Sequence, residues 1–247
     1  MPDMVRDVEI LVVGIEGALE EAGRPERAAA EKRYLKSDLS FLGTTLGDMR
    51  RVAKSVAKTE QLERSDLIPL VQKLWSKSVF ERRMVAVLLL DLYSAELGPK
   101  DLPLIEPLIR ESKTWALVDA LAINVVGEIR LRHRVKQRLD TWAKDDDFWI
   151  RRSSLLAELK PLKKGHPFQP FARRADIMLE ETKFFIRKTI GWVLREMSKK
   201  RPDEVYEWIA PRTHRASGVT MHETVKYLGA KRAARLMRAY KAGRPAA

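Results

Sequence analysis

The chain has 247 residues, 45% of them apolar, enough for a substantial packed core. Its 47 Lys and Arg outnumber 34 Asp and Glu, giving a formal charge of +13 and a pI near 9.9, so a polyanionic partner is expected, nucleic acid first. The absence of Cys excludes disulfides, thiolate nucleophiles, iron–sulfur clusters and thiolate zinc sites.

The N-terminal stretch MPDMVRDVEILVVGIEGALEEAG places acids around a short apolar run and lacks the basic start and long apolar core of a signal peptide. No stretch approaches the roughly 20 apolar residues that cross a bilayer. An anionic membrane surface would favour one basic amphipathic helix over charge spread along the chain. The expectation is a cytoplasmic protein, nucleoid-associated when bound to DNA, without a membrane partner.

Along the chain, apolar residues recur at three- and four-residue steps and no alternation of period two stands out, which predicts an all-α fold. Residues 1–60 read as an N-terminal helical cap. Beyond it, helices are expected to start at Asp66 before LIPLVQKLW, Asp101 before LPLIEPLIR, Asp147 before FWIRRSSLLAEL and Pro202–Asp203 before EVYEWI. Gly165–His166–Pro167 breaks another helix pair. Residues 213–247 read as a C-terminal helical cap and basic tail. After Glu223 there is no acid, but there are Lys226, Lys231, Arg232, Arg235, Arg238, Lys241 and Arg244. These cations fit a solvated helix and tail, or contact with phosphates.

Between the caps, residues 61–212 repeat. Phe80, Trp115, Trp149 and Phe185 mark corresponding helices at intervals of 35, 34 and 36 residues. A fixed period of this length is the signature of stacked helix pairs, here an α-helical solenoid with a concave basic face forming one domain over 1–247. Three residues after each marker stand Arg83, Val118, Arg152 and Lys188, and Trp192 and Arg195 follow Phe185 at seven and ten. Those offsets share one side of a helix, predicting a basic strip that holds one carboxylate, Asp119, and two indoles. The same pattern fits a solvated face with the tryptophans in the core.

Four segments carry a resemblance: RYLKSDLSFLG from Arg33, SKTWALVD ending at Asp119, FWIRRSSLLAEL from Phe148 and KFFIRKTIGWVLREMSKKRPDEV from Lys183. Together, and in this order, they resemble the AlkD-like DNA alkylation repair glycosylases, which are built from HEAT-like repeats. The resemblance implies that Asp119 is the catalytic carboxylate and that Trp115 and Trp192 frame the target nucleotide. It further implies that Arg152, Lys188 and Arg195 contact DNA; Arg83 joins them as a member of the strip, and Tyr34 approaches the lesion. It also implies that the base stays stacked, where glycosylases usually flip it out. The family commonly reads Trp-Trp-Asp-x-Val-Asp where this chain has Thr114-Trp115-Ala116-Leu117-Val118-Asp119; the first Trp and the first Asp are replaced.

The residue types suit that chemistry. Breaking an N-glycosidic bond leaves positive charge on the deoxyribose, and a fixed carboxylate stabilises it and can orient water. Trp115 stands one helical turn before Asp119, and an indole face favours a cation by roughly 0.5–2 kcal/mol. No acid is evident nearby in sequence to protonate a neutral leaving base, so purines already cationic through N3 or N7 alkylation are the expected substrates. Read without the resemblance, Asp119 is a surface or capping carboxylate or the partner of a nearby Arg, and Trp115 a core aromatic like its counterparts.

His133, His166, His214 and His222 show no metal-ligand spacing, so no metal and no cofactor are expected. The expectation is thus a monomeric base-excision glycosylase acting on alkylated double-stranded DNA. The rivals are a non-catalytic relative that binds branched or distorted DNA, and a helical scaffold for an acidic protein.

Overall fold

The computed structural model describes residues 7–243, and among these no strand occurs; a single parallel bridge joins Ser40 and Val79. The chain forms two compact units that divide between Val125 and Val126. No helix of the described residues is long and apolar enough to cross a membrane.

The first unit contains α1 (Val8–Glu21), α2 (Pro25–Leu35), α3 (Leu46–Glu60), α4 (Arg64–Trp75), α5 (Phe80–Leu92), α6 (Leu102–Arg110) and α7 (Trp115–Ala120). Its centre is α5, which packs against α1, α3, α4 and α7 and buries residues on every side, Phe80 to Val87 without interruption. A helix enclosed in this way must pair its polar groups internally. Glu81 accepts the Gly43 N–H at 2.7 Å, and Arg82 donates to the Lys73 and Leu74 carbonyls.

Two expected helix starts differ in detail. Helix α4 begins at Arg64, two residues before Asp66, whose carboxylate reaches back to the Glu63 N–H at 3.4 Å. Asp66 is therefore a third-position partner of the first turn, and the cap is Glu63. Asp101 does precede α6, but it closes a 3₁₀ turn, Pro99–Asp101, and points backward. It is buried, taking the Gly98 N–H at 2.8 Å and Arg64 Nε at 2.8 Å.

After α7 the helical path loosens into a π-helical turn, Leu121–Val126. The second unit contains α8 (Gly127–Arg132), α9 (Lys136–Trp142), α10 (Phe148–Leu156), α11 (Leu159–Lys163), α12 (Gln169–Ile177), α13 (Phe184–Ser198), α14 (Pro202–Ile209), α15 (Gly218–Thr224) and α16 (Ala230–Ala242). Asp147 caps α10 as expected, accepting the Trp149 N–H at 2.7 Å. At α14 the first helical residue is Pro202 and the cap position is Arg201, whose guanidinium bonds the Leu162 and His166 carbonyls. Inside this unit Glu158, fully buried, is shared by Arg174 and by Arg130 at 3.1 Å.

The repeat seen in the sequence corresponds to helices. Phe80 and Trp115 open α5 and α7, and Trp149 and Phe185 are the second residues of α10 and α13. Arg244, at the end of the basic tail, lies outside the described residues.

Candidate functional site

In the first unit the chemistry gathers on α7. The Thr114 side chain caps it by accepting the Ala116 N–H at 3.4 Å, and Thr114 itself is buried. Leu117 and Val118 are completely buried, which fixes the rotation of this short helix. Trp115, Ala116, Asp119 and Ala120 are left half-buried on its other side. The departures from the family pattern thus have separate physical effects. Thr114 supplies a helix cap that Trp could not, and Ala116 puts a small side chain on the open face.

Tyr34, 69% exposed at the end of α2, meets Trp115 edge to face with ring centroids 5.9 Å apart and planes at 81°. Their rings stand at a cavity of about 330 Å³ whose lining residues include Phe80, Met84, Glu31 and Asp91. Ala116 and Ala120 of α7 line it too, whereas Asp119 of the same helix does not. Arg50 lines the cavity as well, and Glu31 is paired with Arg27 at 2.8 Å, so the walls are aromatic and carry charges of both signs. Trp115 is neither a wholly buried core aromatic nor a free one: it packs on Tyr34 and keeps part of its surface open.

The second unit presents Lys188, Trp192 and Arg195 on one face of α13, all half-buried. A residue from α15 organises them. Glu223 accepts from Lys188 Nζ at 2.6 Å and from Lys226 Nζ at 2.8 Å, and its other oxygen takes Arg195. Burial on its own raises the Glu223 carboxyl; the bonds from Lys188 and Lys226 and the Arg195 charge outweigh it and hold the group at about 2. Such close approach is possible because Gly191 has no side chain beneath Glu223. That glycine, in mid-helix between Ile190 and Trp192, was the one sequence signal of a close neighbour, and it could not say which residue that neighbour is.

The expected strip is corrected at three of its four positions. Val118 is in the core, and Arg83 and Arg152 are only 5% and 3% exposed. Arg83 donates to the Lys77 carbonyl at 3.3 Å and the Glu111 carbonyl at 2.5 Å, and its guanidinium lies 4.9 Å from the Trp75 ring centre. Arg152 donates to the Phe185 carbonyl at 2.6 Å and to the Thr189 hydroxyl, beside the Phe185 ring. The offset of three faces inward, and a guanidinium is long and rich enough in donors to satisfy main-chain carbonyls there. Lys188 alone of the four reaches solvent, with 41% of its side chain exposed. Four cations of α16, Lys231, Arg235, Arg238 and Lys241, are exposed, whereas Arg232 pairs with Asp203 at 2.5 Å.

An all-α helical-repeat protein with a carboxylate beside an indole on one helix and clustered cations on another is the class these features define. The chain belongs to the DNA alkylation repair enzyme family, whose model matches residues 15–228. Its fold is similar to that of a predicted DNA alkylation repair enzyme from Enterococcus faecalis, with a TM-score of 0.74 and 24% identity over 84% of this chain and 97% of that one. AlkD2 from Streptococcus mutans matches with a TM-score of 0.60 and 20% identity, over 82% of this chain and 100% of that one. The Streptococcus mutans protein smu.31 matches with a TM-score of 0.58 and 19% identity, over 85% and 100%. No curated protein matches the sequence.

Proposed function

We propose that the protein is a DNA glycosylase of base excision repair, hydrolysing the N-glycosidic bond of cationic N3- or N7-alkylated purines in double-stranded DNA. The observation that carries this reading is the placement of Asp119 on the open side of α7, one turn after Trp115, while Leu117 and Val118 lock that helix into the core. A carboxylate held this way needs little reorganisation when charge develops on the sugar. The glycosidic electron pair leaves with the base and neutralises its charge. Water adds to the sugar cation, and its proton passes to Asp119 or solvent. Tyr34 and Trp115 supply aromatic surface toward the nucleotide, and Trp192 is the second indole of this reading. Lys188 and Arg195 bind backbone phosphates; Arg152 acts from within by holding α13 through the Phe185 carbonyl, and Arg83 by tying the main chain at Lys77 to that at Glu111, four residues before Trp115. The protein works as a cytoplasmic monomer without metal or cofactor.

The test is release of free base from methylated duplex DNA. The wild type is expected to release it, and Asp119→Asn to lose about 10²-fold or more in rate while binding DNA as before. If both proteins bind DNA and both are inert, the chain is a non-catalytic DNA-binding relative.

A further inference from the structure

Glu223 is 5% exposed, yet three cations converge on it from outside. Lys188 Nζ and Lys226 Nζ reach one oxygen, at 2.6 and 2.8 Å, and Arg195 reaches the other. Glu223 therefore holds three positive charges; Arg195 is shared with Glu196 at 3.6 Å, and three cations against two carboxylates still leave the group net positive. A carboxylate serving only to fasten α15 to α13 would need a single partner. Lys226 comes from neither helix but from the 3₁₀ turn that follows α15, Val225–Tyr227. The side chains of Lys188 and Lys226 are 41% and 48% exposed, so their ammonium groups keep donors for a ligand from solvent. A compact anion with several acceptor oxygens, such as a phosphodiester, matches such a cluster.

We infer that Lys188, Arg195 and Lys226 form one binding site for a DNA backbone phosphate, with Glu223 as its built-in competitor. In the free protein the carboxylate gathers three side chains that would otherwise repel one another apart. In the complex it offsets part of their charge, so that each encounter with undamaged DNA is weaker than three free cations would make it. Because Glu223 stays ionised far below neutral pH, this attenuation is constant and not a pH switch. The inference rests on the DNA-binding part of the proposed function and is independent of base release.

The experiment is binding of the full chain to an undamaged duplex, followed by fluorescence anisotropy across a salt series. Glu223→Gln is expected to bind several-fold tighter than wild type at low salt. The slope of log K against log salt should steepen by up to about 0.9, the value for one more phosphate neutralised. Lys226→Ala, which removes an exposed group and leaves the packing intact, should bind more weakly with a slope flatter by a similar amount. A folded Glu223→Gln protein whose affinity and slope equal or fall below those of wild type overturns the competitor role. A Lys226→Ala protein with an unchanged slope removes Lys226 from the site, and does so even if Glu223→Gln fails to fold. A wild type without salt-sensitive DNA binding is a different result, since it sinks the DNA reading itself.

Discussion

Gly191 lies directly beneath Glu223: a Cβ placed on Gly191 would stand 2.7 Å from the Glu223 Cβ and 2.9 Å from the Thr220 carbonyl oxygen. This is how α13 and α15 come close enough for one carboxylate to meet cations from both sides. The Ile-Gly-Trp segment therefore has a packing reason for its glycine as well as a surface reason for its tryptophan.

Gly191→Ala should push α15 away, because one of the clashing atoms is main chain and cannot rotate aside. Overpacking of this kind costs about 1–3 kcal/mol, to be read as a lower midpoint in thermal or denaturant unfolding. An unchanged midpoint would mean that α15 is held far more loosely than the contact implies.

Arg152→Met tests whether this arginine is an internal brace. The substitution leaves the Phe185 carbonyl without the Arg152 donor, and should cost about 1–3 kcal/mol of stability. The salt slope of DNA binding should stay where it was. A flatter slope with unchanged stability would instead make Arg152 a phosphate ligand.

Two buried carboxyls should give opposite pH signatures. Burial raises the Glu81 carboxyl above its ordinary 4.5, against the bonds it accepts from the main chain around Leu42 and Gly43. A raised folded value means that its contribution is full below 4.5 and is lost as pH rises through the folded value. Glu81→Gln should therefore gain stability relative to wild type as pH rises from below 4.5. Glu223 is depressed to about 2, so its contribution is present above 4.5 and is lost as pH falls toward 2. The stability advantage of wild type over Glu223→Gln should shrink over that acid range. Melting temperatures of the three proteins across pH decide both points, and a difference that does not vary with pH refutes the corresponding shift.

Helix periodicity is a local property of the chain, and the sequence by itself determined the all-α repeat fold. The aromatic markers from Phe80 to Phe185 fall within the first two residues of their helices, and the Asp147 cap is where a short polar side chain before an apolar run requires it. Local preference also set the membership of each face of α13, because Lys188, Trp192 and Arg195 are related by helical geometry alone. What only the tertiary structure decided is the work of the long charged side chains. Nothing in the residues around Arg83 or Arg152 says that their guanidiniums turn inward, since that depends on carbonyls 28 and 33 residues away in sequence. Glu223 was equally hidden, standing 35 residues from Lys188 and 28 from Arg195. Backbone conformation follows from neighbours along the chain, whereas the partner of a charge is set by whichever helix packing brings close, and packing is long-range.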